Sequence, residues 1–135
     1  MGITDKFNMS KEDNIFNAKR IMVDSIYKQA NLEGIAVTFA DTQSILNNVN
    51  IEHVTPTDIS KVCCLRDGWN YLFDHIDDTV DLVFLEATHE LTARFDVPYQ
   101  YLGKLRNEEV MISGTDWRPE IPNADKIYRD LQDLN

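Results

Sequence analysis

"TPTDISKVCCLRDGWNYLFDHI", Thr55 to Ile76, is the stretch on which the fold turns. Thr55 offers a capping hydroxyl, Pro56 suits the first helical position, and Asp58 places an acid where the helix dipole favours it. Ile59, Val62, Cys63, Trp69, Leu72, Phe73 and Ile76 then recur as a broad apolar stripe at helical spacing. The pattern predicts a long helix laid on a core.

Working toward the N-terminus, Ser10-Lys11-Glu12-Asp13 is an acidic variant of the capping box. Ile15, Ala18, Met22, Ile26 and Ala30 follow at helical spacing, and Gly34 suits a C-terminal cap. One helix is expected from Ser10 to Gly34. Thr38 opens a shorter helix that carries Ile45 and Leu46 and ends around Asn47-Asn48.

Toward the C-terminus, Val80 to Phe95 reads as another helix, closed by Val97-Pro98. It is apolar nearly all round at its start, which predicts a place near the centre of the core. The period then changes. Leu105 to Ile112 alternates as a strand does, and Ser113-Gly114 supplies a turn, so a hairpin is expected there. After Pro119 and Pro122, Asn123 can cap a last helix with Ile127, Leu131 and Leu134 on one face. The fold class is mainly α with one β-hairpin near the C-terminus.

At 135 residues the chain has the length of one domain. Lys and Arg number 13 against 23 Asp and Glu, a formal charge of -10. Such a surface repels phosphate backbones, so nucleic acid is not an expected partner. The longest apolar run, Leu82 to Leu85, is too short to span a bilayer, and the N-terminus has no secretory pattern. No membrane association and a cytoplasmic location are expected. Cys63 and Cys64 are adjacent in a helix, where neighbouring side chains point about 100° apart. They read as reduced thiols, not as a disulfide or a metal pair.

The residues that could carry chemistry thin out on inspection. His89-Glu90-Leu91-Thr92-Ala93 begins like the zinc-protease helix, but Ala93 stands where the second histidine ligand belongs. His53 and His75 lie near helix ends and read as structural. Neither a nucleophile elbow nor a phosphate-binding loop occurs, and the 5 glycines are too scattered to build one. No catalytic residue and no metal ligand are assigned. Two segments ask for more explanation: Gln29 to Thr42, where Glu33 sits at the unfavourable end of a helix dipole, and the hairpin.

Together these segments resemble the Fic (Fic/Doc) family. Leu32-Glu33-Gly34, then Val37-Thr38-Phe39 and Thr42-Gln43-Ser44-Ile45-Leu46, are similar to that family's inhibitory helix and the helix after it. Gly103-Lys104-Leu105-Arg106, Val110-Met111-Ile112-Ser113-Gly114, Trp117-Arg118-Pro119 and Ile121-Pro122 are similar to its approach to the active site. The resemblance runs from about residue 20 onward and rests on order and spacing. It implies an inhibitory-helix-like region over 1-50 and the N-terminal part of a Fic-like helical domain over 51-135.

The resemblance also implies a mechanism. Fic enzymes transfer AMP from ATP, with magnesium, to a protein hydroxyl, and are associated with cell filamentation and toxin-antitoxin systems. Glu33, beside Gly34, corresponds to the autoinhibitory residue, which pairs with an arginine that positions the terminal phosphate. Residues 105-119 correspond to the target-docking flap, with Val110, Met111, Ile112, Ser113, Gly114, Trp117 and Arg118 as the docking set. Gln29 stands where the family has Ser or Thr, and the catalytic loop with its histidine, Gly-Asn and arginine does not occur. The chain is therefore expected to be truncated and inactive alone, with no cofactor of its own. Its expected partners are a protein substrate, the missing catalytic half, or a second copy. The alternative is a stand-alone, antitoxin-like regulatory protein that supplies Glu33 in trans to a Fic partner.

Overall fold

Local signals decide where the helices begin. In the computed structural model, which describes Thr4 and residues 6–135, Thr55 accepts from the Asp58 amide at 3.1 Å and starts helix α4. The six α-helices of the described residues are α1 (Lys11–Arg20), α2 (Met22–Leu32), α3 (Phe39–Leu46), α4 (Pro56–Asp74), α5 (Leu82–Thr92) and α6 (Ala124–Gln132). A 3-10 turn covers Tyr99–Tyr101, and no strand occurs among these residues.

The caps expected for α1, α3 and α6 form as well. Ser10 accepts from Asp13, and Asn123 from Lys126. Thr38 and Asp41 make a reciprocal capping box, each satisfying the other's backbone amide. Asn48, at φ 58, closes α3 in the left-handed region, with Val49 N–H donating to the Ser44 carbonyl at 2.8 Å.

The core lies where α2, α3 and α4 meet. Ile26 and Ala30 of α2, Ile45 of α3 and Val62 of α4 are buried with Ile35, Val37 and Val54 from the connecting segments. This cluster draws on residues from both sides of position 50. A side chain of this kind stabilises by about 1.5–3 kcal/mol when fully removed from water. Thr42 is buried too, and its hydroxyl donates to the Thr38 carbonyl at 2.9 Å, so its polarity is satisfied.

Three expectations are corrected by the structure. The helix expected from Ser10 to Gly34 is broken at Ile21 (φ -95, ψ 6) into α1 and α2. Neither proline nor glycine demands the bend. It accompanies a turn of α1 toward the far end of α4, where Lys11 pairs with Asp77 and Lys19 lies 5.3 Å from the Phe73 ring centroid.

The second correction concerns α5, which is not central. None of its residues is buried, and Val83 is 69% exposed. Its inner side packs on α4 and it also touches α6, while Val83 and Leu85 stay exposed. The approach of the two helices is set by Gly68, where a Cβ would come within 2.4 Å of the Thr92 methyl.

The third correction is the hairpin. Residues 105–119 form an irregular exposed loop, not paired strands. The turn exists, with Thr115 N–H donating to the Ile112 carbonyl at 3.0 Å, but one further backbone bond, Ile112 N–H to the Trp117 carbonyl at 3.3 Å, is all that crosses it. An isolated pair of strands is marginal without a surface to bury one face, and Val110, Met111 and Ile112 stay 41%, 59% and 43% exposed. Pro119 also removes a donor from the returning segment. Arg106 holds the loop instead, its guanidinium donating to the carbonyls of Glu108 at 2.5 Å and Glu120 at 2.6 Å.

Candidate functional site

Glu33 is the C-cap of α2, and the turn that presents it is built from several bonds. Ile35 N–H reaches back to the Ala30 carbonyl at 2.9 Å, and Gly34 N–H to Asn31 at 3.1 Å. This is the Schellman pattern, and Gly34 meets its need for positive φ at 77°. The Asn31 amide then bridges the Tyr27 and Val37 carbonyls, tying the helix end to the segment beyond it. Glu33 is thus held at a fixed corner with its side chain exposed. It joins none of the ion pairs among the described residues and makes no side-chain hydrogen bond to them.

Beside that corner, α2, α4 and α5 enclose a cleft of about 340 Å³. Gln29, Leu32 and Glu33 line one wall, Leu65, Gly68, Trp69 and Leu72 the floor, and Thr88 and Thr92 the other wall. A second hollow of about 230 Å³ shares Glu33, Leu65 and Thr92 and continues to Lys61 and Asp96. Lys61 bonds Asp96 at 2.5 Å, and that bond raises its ammonium pKa, with a smaller contribution from the charge of Glu33.

Most polar atoms of the cleft are already occupied. Thr88 and Thr92 donate their hydroxyls to the carbonyls of Phe84 and Thr88, at 2.8 and 2.9 Å. Trp69 Nε1–H donates to the Gln29 side-chain oxygen at 3.0 Å. Gln29 therefore serves Trp69. Among the lining residues, Glu33 supplies the one charge.

The expected docking residues are placed differently. Val110, Met111, Ile112, Ser113, Gly114, Trp117 and Arg118 all sit on the exposed loop, and Arg118 reaches Glu109 at 3.4 Å. The clefts that Glu33 lines include no residue of 105–119, so the two segments do not form one site.

Each histidine has a partner within the fold. His53 Nε2 lies 2.9 Å from Asp41. The Thr38 backbone amide, then its hydroxyl, and more weakly His53 hold the Asp41 carboxyl below its ordinary range. His75 Nδ1 bonds the Tyr71 carbonyl at 2.9 Å, and the two rings stack at 4.0 Å. His89 Nδ1 accepts from Gly103 N–H at 3.0 Å, a geometry that places a neutral ring's proton on Nε2. Cys64 is buried, which pushes its thiol pKa up, while Cys63 is partly exposed. Among the described residues no group of three or more His, Cys, Asp or Glu side chains is gathered for a metal, and no helix is long and apolar enough to cross a membrane.

The cleft itself was not anticipated from the sequence. One signal pointed toward it: Gly68 lies inside a long helix, where glycine costs about 1 kcal/mol relative to alanine, and such a position often marks a close approach. Comparison of the chain with protein-family models, with curated proteins and with solved structures gives no match.

Proposed function

We propose that this chain is the regulatory portion of an AMP-transfer system of the Fic type. In this reading Glu33 pairs with the arginine that positions the terminal phosphate of ATP, and ATP is then no longer held for transfer. The arginine lies either on a continuation of the polypeptide or, in the antitoxin-like alternative, on a partner. The chain supplies no transfer site of its own. ATP and magnesium belong to the complete enzyme.

One observation carries the reading: Glu33 is exposed and unpaired among the described residues, at a helix corner fixed by the Gly34 turn and the Asn31 bridge. The backbone that carries this carboxylate is already ordered, so pairing with a guanidinium costs the freedom of the Glu33 side chain alone, and charge-assisted pairing is strong. The loop 105–119 has a secondary role as a docking segment for the target. Among the described residues the amides of Val110 and Met111 have no hydrogen-bond partner, which leaves them free for an incoming backbone.

The chain is to be titrated into a complete Fic AMP transferase that has no inhibitory helix, with ATP, magnesium and a target protein. AMP labelling of the target should fall, and Glu33→Ala should restore it. Undiminished labelling at saturating chain would overturn the proposal. So would equal inhibition by Glu33→Ala.

A further inference from the structure

We propose that the cleft between α2, α4 and α5 is a docking groove for an amphipathic helix that carries an arginine at the edge of its apolar face. The proposal rests on the functional reading above in one respect: Glu33 is the acid that meets the partner's cation. It adds the form in which that cation arrives.

Charge complementarity selects the occupant. The groove floor is apolar, with Leu65, Leu72 and the Trp69 ring, and Leu32 stands 86% exposed at its rim. The threonine hydroxyls are turned back into their own helix, and Trp69 is satisfied by Gln29, so these groups leave no demand for a polar ligand. What remains is a single carboxylate, on a chain with a formal charge of -10. An apolar segment with one cation matches both properties.

The walls decide the conformation of that segment. All three are helices whose backbone groups are bonded internally, so no strand edge is available to an extended peptide. An incoming chain must satisfy its own backbone in this apolar setting, and a helix does so. The groove is elongated, because the hollow toward Lys61 continues it past Glu33. The arginine would therefore sit where the apolar floor gives way to the hollow that holds the Lys61–Asp96 pair. Lys61, already bonded to Asp96, does not compete for Glu33 at contact distance.

The test uses the full chain and a fluorescein-labelled amphipathic peptide with leucines on one face and a single arginine on their border. Anisotropy should report saturable binding. Replacing the peptide arginine by glutamine, or Glu33 by glutamine, should each weaken binding about five- to tenfold. The double change should cost little more than either one alone. Leu32→Ser, a change at an exposed site that leaves the core intact, should weaken binding several-fold with the far-UV spectrum unchanged. No saturable binding overturns the proposal, as does binding indifferent to both Glu33→Gln and Leu32→Ser. Inhibition of AMP transfer without peptide binding sinks this inference alone. Peptide binding without inhibition sinks the functional reading alone.

Discussion

Residues 22–74 and residues 97–122 carry comparably clear patterns, yet only the first region builds what its pattern promises. Every buried hydrophobic residue of the described chain lies between Ile26 and Cys64. Thr38, Thr55, Gly34 and Asn48 close the helix ends of that region within a few residues of where they stand. The alternation of Leu105 to Ile112 is equally legible, but a strand needs a ladder and a well-covered face; no ladder forms there, and Val110 to Ile112 stay exposed. A helix satisfies its backbone internally, whereas a strand depends on another segment. That difference separates the two regions.

Substitutions can break or sharpen the contrast. Ile26→Ala empties a fully buried site and should cost about 2–5 kcal/mol in urea denaturation followed by far-UV circular dichroism. A loss under about 1 kcal/mol would mean that the α2–α4 core is looser than its burial implies.

Thr38→Ala removes one half of the α3 capping box and should cost about 1 kcal/mol. The same site has a pH signature. The Asp41 pKa is depressed in the fold, so its contribution is fully present above the unfolded value near 3.8 and is lost as pH falls through the folded value. Stability of the native chain should therefore drop on acidification through this range. Thr38→Ala should flatten the drop only in part, because it removes the Thr38 hydroxyl and leaves the backbone amide, the larger cause of the shift. An unaltered acid limb would remove the Thr38 hydroxyl from that role.

In the second region the expected effects are local. Arg106→Met should release the loop and speed proteolysis near Ser113-Gly114 several-fold without loss of helix signal. Unchanged cleavage would show that the clasp does not govern the loop. Met111→Ser, at a site 59% exposed, should stay within about 0.5 kcal/mol of the parent. A larger loss would place Met111 in a packed surface and erase the distinction drawn here.

The candidate site divides along the same line. Glu33 at a helix corner followed by Gly34 is readable from six or seven residues, because a Schellman turn is a local object. The cleft is not readable in this way. Gln29, Trp69 and Thr92 come from three helices, and their meeting depends on how closely α4 and α5 approach at Gly68. The Fic resemblance linked Glu33 and the 105–119 segment by their order along the chain. In space they line different surfaces.

By itself the sequence determined the helix starts at Ser10, Thr38, Thr55 and Asn123, the ends at Gly34 and Asn48, and the acidic, mainly helical character of the protein. These depend on hydrogen bonds and charges a few residues apart. Tertiary structure alone decided the break at Ile21, the outlying position of α5, the loop in place of a hairpin, and the cleft beside Glu33. Each depends on which distant surface is present to cover an apolar face or complete a backbone ladder, and no local periodicity encodes that.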